Sequence, residues 1–240
     1  MAHSIRVHLD AGRPVYVVLF TDGEASGTCA TWLANGISGS PAVDLDGDGD
    51  KDVNDFALAR RAEFSAAMSA LGVSSSNLSF RGRANPSGPN LLPDGGTGSM
   101  WQFSDGGLSG RYQDVKNVMS WYQSSLGGSH APSHKTVMRY YDSAAVTGDS
   151  YNHSDHWYVS EGLDYKADTY GWDARFYKIY IFQKSTPTYL YREYSTTTQH
   201  AYKQTALNCY LIPRASSTVN TLITESYADR YEYMTTNSDF

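Results

Sequence analysis

The sequence predicts an α/β fold in which helices pack on a mainly parallel sheet. The first observation is an alternation of short apolar, β-rich runs with longer segments of helical spacing, which is the order that βα units produce. The second is the run Val15–Phe20, which is continuously apolar, as is typical of a strand covered on both faces. Hydrophobic residues make up 40% of the 240 positions and charged residues 18%. This composition allows a sizeable buried core.

The first third of the chain contains two predicted helices and two predicted strands. Each helix is followed by a glycine, Gly12 or Gly72, of the kind that ends helices. A stretch rich in glycine and serine runs to about Pro41. Within the second helix, Arg61 and Glu63 are predicted to form a stabilising pair. In order, the elements are the end of a helix over Ser4–Ala11, the Val15–Phe20 strand, a helix over Asn54–Leu71 and a strand over Leu78–Phe80.

The rest of the chain begins with a long loop, residues 83–112, which is rich in glycine, serine, proline and asparagine. Helix and strand signals alternate beyond it. The predicted elements are helices over Asp114–Leu126, His156–Lys166 and Thr196–Asn208, and strands over Thr136–Tyr140 and Ala174–Phe182. We predict one domain over residues 1–186 and a tyrosine-rich extension, residues 187–240, packed on it. The extension's tyrosines, such as Tyr189, Tyr191 and Tyr194, are assigned to packing or to an edge strand.

The composition excludes several classes of protein. The formal net charge is −6 and lysine and arginine form no cluster, so the chain lacks the positive surface that nucleic acid binding requires. No apolar run approaches the roughly 18 residues that a transmembrane helix needs. Cys29 and Cys209 lie far apart and have no zinc-knuckle spacing. No Gly-x-Gly-x-x-Gly follows a strand, which disfavours a nucleotide-binding domain.

The segment from Tyr151 to Trp157 contains the densest set of chemically active side chains. Two histidines, His153 and His156, flank the carboxylate of Asp155 just before a predicted helix. Imidazole is the commonest zinc ligand and also transfers protons near neutral pH. A neighbouring carboxylate can orient an imidazole ring. These residue types indicate a zinc or acid–base site, and a polar loop with surface histidines is the alternative explanation.

Several segments occur in an order that resembles a known family. They are the strand ending in Thr21-Asp22-Gly23, the helix with Arg60-Arg61-Ala62-Glu63-Phe64 and its end Ala70-Leu71-Gly72-Val73, Lys135-Thr136 before a strand, His153-Ser154-Asp155-His156, and Asp173-Ala174-Arg175-Phe176-Tyr177. Over roughly residues 4–182 this order is similar to that of the LmbE-like, or GlcNAc-phosphatidylinositol de-N-acetylase (PIG-L), family. The family has His-Pro-Asp-His where this chain has serine in place of proline.

The resemblance implies a Rossmann-like three-layer sandwich with one zinc ion. The family removes an acetyl group from an amino sugar by hydrolysis, so the implied partner is a small N-acetylated sugar or related amide. On the family pattern His156 is the distal zinc ligand, His153 assists the leaving amine or the oxyanion, and Asp155 is its carboxylate neighbour. Tyr151 stands where some members place a tyrosine that stabilises the tetrahedral intermediate. Asp22, at the end of the buried strand, is either a substrate contact or a cap of the turn.

One part of the family pattern is absent from this sequence. The family places a His-Pro-Asp-Asp-Glu motif after its first strand, where it supplies two zinc ligands and the general base. These 240 residues contain no such motif. Met1 falls at helix residues that follow the motif in the family, so we expect that the sequence starts at an internal methionine and lacks the first strand. Natural degeneration into a non-catalytic protein is the alternative explanation. With one of three ligands left, we expect weak zinc binding and no deacetylase activity.

The segment Asp44–Asp55 has a second metal-binding pattern. Acidic residues occupy positions 1, 3, 5, 7, 9 and 12 of an EF-hand loop, and Gly49 occupies position 6, where the loop turns sharply. The segment resembles a single dockerin-type repeat. We expect it to bind a structural calcium ion, because acids packed this densely repel each other without a cation. The predicted calcium ligands are Asp44, Asp46, Asp48, Asp50 and Asp55.

Two classes of function therefore remain open. The first is a zinc-dependent deacetylase, and the second is a non-catalytic, calcium-stabilised binding module. A solvated acidic loop without calcium is the alternative explanation of Asp44–Asp55.

Overall fold

The computed structural model describes residues 2–19, 22, 27–37, 41–80, 136–141, 173–178, 191–212 and 231–235. Within these ranges the helices are α1 (Ala2–Asp10), α2 (Gly27–Asn35), α3 (Val53–Ala70), a short 3-10 helix (Ser75–Asn77) and α4 (Thr197–Asn208). The strands are β1 (Val17–Leu19), β2 (Leu78–Phe80), β3 (Thr136–Tyr141), β4 (Asp173–Lys178), β5 (Tyr191–Tyr194) and β6 (Tyr231–Thr235). The predicted loop over 83–112 and the predicted helices Asp114–Leu126 and His156–Lys166 lie outside the described residues.

The chain divides into two compact units. The first comprises Met1–Asp94 and Glu193–Glu232, and the second comprises Gly95–Arg192 and Tyr233–Phe240. The boundary proposed from the sequence after residue 186 stays a prediction. None of the helices in the described ranges combines the length and the apolar character that crossing a bilayer requires.

The strands form one parallel pair and one four-stranded sheet. Strand β1 pairs with β2 in parallel, with Leu19 opposite Phe80. The larger sheet has the order β3-β4-β6-β5, in which β3 and β4 are parallel and β4 and β6 are antiparallel. Helices and parallel strand pairs together confirm the predicted α/β class, and the three-layer arrangement stays a prediction. Among the described strands β5 is the last in the order, so within the described residues Tyr191 and Tyr194 lie on an end strand.

Helix α3 has local signals at both ends. At its start, the Asp52 side chain accepts a hydrogen bond from the Asn54 backbone N–H, and Asp55 accepts one from the Asp52 N–H, which together form a capping box. At its end, Leu71 is the C-cap and Gly72 has a φ of +88°, a conformation that glycine adopts without steric cost. The predicted helix is therefore confirmed to within one residue at each end.

No helix is predicted for the stretch before Pro41, but residues 27–35 form helix α2. The sequence there is rich in glycine and serine, but Cys29 and Trp32 have helical spacing and are both buried. The Trp32 ring meets Phe56 of α3 edge to face, with 5.8 Å between the ring centroids. Tertiary burial of this face thus stabilises a helix that local propensity did not indicate.

Strand β1 also differs from its prediction. Among the described residues it covers Val17–Leu19, so it begins two residues later than predicted, and these residues are half-buried rather than covered on both faces. In the described part of the chain its one hydrogen-bonded neighbour is β2. The continuous apolar run therefore indicated a parallel strand correctly but overstated how deeply it is buried.

Helix α4 comes late in the chain but belongs to the first compact unit. It begins with a capping box between Thr196 and Gln199 and packs against α1 and α3. The guanidinium of Arg6 lies 4.1 Å from the centroid of the Tyr202 ring, as in a cation–π contact. Beyond the helix, Ile212 is buried in the cluster that contains Trp32 and Phe56. This part of the predicted extension is therefore integral to the core of the first unit.

Candidate functional site

The carboxyl end of strand β1 holds a buried ion pair. The Asp22 side chain is fully buried, and the Arg61 side chain of α3 is 12% exposed. Arg61 Nε donates to Asp22 Oδ1 over 2.9 Å, and Arg61 Nη2 donates to Oδ2 over 3.0 Å. This bidentate arrangement, with two parallel N–H···O hydrogen bonds, gives a strong interaction between an arginine and a carboxylate. It fixes Asp22 to α3, and a catalytic role for Asp22 stays a prediction.

The prediction that Arg61 pairs with Glu63 is wrong, because Arg61 pairs with Asp22. Glu63 Oε1 instead accepts hydrogen bonds from the backbone N–H groups of Leu211 and Ile212, and Glu63 also forms an ion pair with Arg60. The physical reason is helix geometry, since residues two apart point in different directions. Arg61 faces the tip of β1, while Glu63 faces the segment that follows α4.

Three acidic residues of the Asp44–Asp55 loop lie together. One carboxylate oxygen each from Asp44, Asp46 and Asp48 falls within 4.8 Å of the others, a group suited to hold a metal ion. The loop is shaped by its own side chains, since Asp44 accepts hydrogen bonds from the backbone N–H groups of Gly47 and Gly49. Gly49 has a φ of +99°, as the predicted sharp turn at position 6 requires.

Asp55, at position 12 of the loop, has a different environment. It is fully buried, and its Oδ1 accepts hydrogen bonds from the N–H groups of Leu45 and Asp46, while Oδ2 accepts from Asp52. Burial by itself raises the pKa of Asp55, but these three hydrogen bonds outweigh it and hold the pKa below its usual value. Asp55 is thus ionised and committed to the backbone, and it lies outside the group of three.

Two exposed acids of the loop, Asp46 and Asp50, have their pKa shifted in the opposite direction. Desolvation raises the pKa of Asp46, helped by the charges of Asp48, Asp55 and Asp52 and opposed by a hydrogen bond from the Asp48 N–H. The pKa of Asp50 is raised first by the charge of Asp48 and then by desolvation. Mutual repulsion therefore disfavours full ionisation, and a divalent cation would relieve it. As calcium ligands, Asp44, Asp46, Asp48, Asp50 and Asp55 all stay predictions.

The predicted zinc and catalytic residues cannot be placed with the others. Tyr151, His153, Asp155 and His156 lie outside the described residues, so their roles stay predictions. Of the predicted catalytic set, the structure describes Asp22. Sequence reasoning did not assign Arg61 as its partner. The available signal was the position of Asp22 just after a strand, where a helix that follows can reach it.

The fold is similar to that of solved α/β enzymes. No protein-family model matches the chain, and no curated protein matches it. Among solved structures, the A40926 pseudoaglycone deacetylase Dbv21 matches with a TM-score of 0.56 and 16% identity, over 97% of this chain and 88% of that chain. The zinc-inhibited form of the teicoplanin deacetylase Orf2 matches with a TM-score of 0.56 and 15% identity, over 100% and 94%. At these identities the likeness establishes the fold.

A third similar structure performs different chemistry. It is GalB, the 4-carboxy-2-hydroxymuconate hydratase of Pseudomonas putida, with a TM-score of 0.51 and 14% identity, over 97% of this chain and 88% of that chain. The same fold therefore serves both deacetylases and a hydratase, and the reaction must be argued from the site.

Proposed function

We propose that this chain belongs to a zinc-dependent hydrolase that removes an N-acetyl group from an amino sugar or a related amide. The observation that carries the proposal is the similarity in fold, over nearly the whole chain, to deacetylases that include a zinc-inhibited form. It agrees with the resemblance of the sequence to the LmbE-like family, which rests on the order of short motifs. The first compares backbones and the second compares short runs of residues.

The proposed roles follow the segment Tyr151–His156. His156 is a zinc ligand, and a zinc ion held there would polarise the amide carbonyl and activate water. His153, in its protonated form, donates a hydrogen bond to the oxyanion or a proton to the leaving amine. Asp155 keeps its neighbouring imidazole oriented. The phenol of Tyr151 is a further hydrogen-bond donor for the tetrahedral intermediate.

The same proposal limits what these 240 residues do alone. Catalytic zinc sites use three protein ligands, and the sequence contains no His-Pro-Asp-Asp-Glu motif to add to His156. We therefore propose that the 240 residues bind zinc weakly and do not turn over substrate unless that motif is supplied.

The experiment compares the 240-residue chain with the same chain extended by a strand and the His-Pro-Asp-Asp-Glu motif of the family. Both are incubated with zinc and N-acetylglucosamine derivatives, and released acetate is measured. We expect acetate from the extended chain alone, a loss of that activity in His156→Ala, and a decrease on the order of 10²–10⁴-fold in His153→Ala. A zinc-loaded extended chain that releases no acetate, or an active His156→Ala variant, would refute the proposal. A 2-hydroxymuconate-type substrate tests the hydratase reaction in parallel.

A calcium-stabilised binding module is the second candidate function. The observation that favours it is the group formed by Asp44, Asp46 and Asp48, whose carboxylate oxygens already lie close together. In this proposal calcium clamps the loop that leads into α3, and the exposed surface of the loop contacts a partner. Isothermal titration calorimetry with calcium tests it, with Asp48→Ala as the matched variant. Equal heats from both proteins would end this proposal.

A further inference from the structure

The geometry around Asp22 argues against its use as a base. Both of its carboxylate oxygens accept hydrogen bonds from the Arg61 guanidinium, and the side chain has no exposed surface. A general base needs an oxygen within hydrogen-bond reach of a water or substrate proton. Both oxygens of Asp22 are engaged by Arg61 and the side chain does not contact solvent. We therefore assign its carboxylate a structural role, which is to anchor the backbone around it.

The position that it holds is the carboxyl edge of the β1–β2 pair. Leu19 and Phe80 are the last residues of the two strands and lie opposite each other. The guanidinium carbon of Arg61 is 5.5 Å from the centroid of the Phe80 ring, and the Phe64 ring of α3 meets Phe80 edge to face at 6.2 Å. Helix α3 therefore contacts this edge through Arg61 and through Phe64.

This edge is where α/β folds bind ligands, in the crevice outside the carboxyl ends of their parallel strands. A site there needs its backbone held to within about 0.5 Å of the productive geometry by residues that are themselves locked. A buried, bidentate ion pair satisfies this requirement. Separating the two side chains would leave an uncompensated buried charge, so the pair resists movement of the backbone segments that carry it.

We propose that Arg61 is a positioning residue, which holds Asp22 and the carboxyl edge of β1 and β2 in place for substrate binding and takes no part in proton transfer. This inference rests on the proposed function for the identity of the substrate. It assigns Asp22 to the support of the site rather than to the reaction.

Hydrogen–deuterium exchange on the 240-residue chain tests the positioning itself. The variants are Asp22→Asn, which removes the negative charge, and Arg61→Lys, which keeps the positive charge but cannot form the bidentate hydrogen bonds to Asp22. The control is Arg6→Lys, since Arg6 donates to the Leu71 carbonyl at the far end of α3. That carbonyl lies roughly 15 Å along the helix from Arg61 at 1.5 Å per residue.

We expect exchange on the order of tenfold faster in peptides covering β1, Asp22 and β2 for both site variants, with the acidic loop unchanged. The control is expected to leave that edge as in the wild type. If Asp22→Asn does not fold, the neutral double variant Asp22→Asn/Arg61→Gln replaces it, because it leaves no stranded charge. Unchanged exchange at the edge, or a uniform increase throughout the chain, would overturn the proposal.

Binding of N-acetylglucosamine, measured by saturation-transfer NMR on the same proteins, separates this proposal from the proposed function. We expect wild-type binding that weakens at least several-fold in Arg61→Lys and is unchanged in Arg6→Lys. A wild type that binds no sugar, while the site variants still loosen the edge, would count against the proposed substrate and support the positioning role. Sugar binding that is indifferent to both site variants would overturn the positioning role alone.

Discussion

Replacing Asp55 by alanine should destabilise the protein more than any other change in the acidic loop. The wild-type side chain is fully buried and accepts three backbone hydrogen bonds, from Leu45, Asp46 and Asp52. Hydrogen bonds to an ionised group contribute about 1.5–3 kcal/mol each, and they do not add fully because water reaches part of the exposed loop once the carboxylate is gone. We expect a loss of about 3–4 kcal/mol, a large part of the 5–15 kcal/mol of a typical domain.

The assay is guanidinium or thermal unfolding followed by circular dichroism, with a chelator present so that calcium does not contribute. At about 2–4 °C per kcal/mol for a chain of this size, the midpoint should fall by roughly 10 °C. Asp48→Ala is the matched control, because it removes the same charge from an exposed position in the same loop and should change stability by at most about 0.5 kcal/mol. Equal midpoints for the two variants would refute the reasoning.

The same residue predicts how stability depends on pH. The folded-state pKa of Asp55 is lowered, so its contribution is fully present above the unfolded-state pKa and is lost as pH falls through the folded-state pKa. Wild-type stability should therefore decline on acidification below about pH 4, the ordinary range of an aspartate. The Asp55→Ala variant should show a smaller decline. Parallel curves for the two proteins over this range would contradict the assignment.

Three further predictions concern calcium, a glycine and the core. Calcium at a hundredfold excess over its Kd should stabilise the wild type by about 2.7 kcal/mol in thermal unfolding, and Asp48→Ala should lose most of that gain. Gly72→Ala should lower the unfolding midpoint more than Gly12→Ala. Both glycines have positive φ, but at Gly72 a Cβ would lie 2.7 Å from Arg6 Nη1 and would displace it from its hydrogen bond to the Leu71 carbonyl; equal losses would contradict this. Phe56→Ala should cost about 3–5 kcal/mol in denaturant unfolding, against a fraction of this for the exposed Val43→Ala, and similar costs would contradict the assigned core.

The sequence was most informative where the signal is local. Helix α3 could be bounded closely because a capping aspartate precedes it and Gly72 follows it. Strand β2 is confirmed at its predicted limits, Leu78–Phe80, and the N-cap of α4, Thr196, was recognised as the start of a helix. Each of these signals depends on residues within a few positions of one another, so one sequence suffices to see them.

The sequence was least informative where contacts are distant. Helix α2 exists because its Cys29 and Trp32 face is covered by Phe56 and Ile212, which no local pattern reveals. Likewise the partner of Arg61 is 39 positions away. At position 12 of the acidic loop, the spacing predicted Asp55 as a calcium ligand, but it could not show that three backbone N–H groups donate to its oxygens.

The burial of Ile212 beside Phe56 has a consequence for synthesis on the ribosome. The first compact unit is discontinuous in the chain, and the intervening residues must all be made before its last segment arrives. Until then the indole of Trp32 and its neighbours are only partly buried, so the nascent polypeptide exposes apolar surface to which chaperones can bind. Closing the long loop between Phe56 and Ile212 also slows folding, because the chain loses conformational entropy before the contact forms. A stop codon ahead of α4 should therefore yield aggregated rather than merely shortened product.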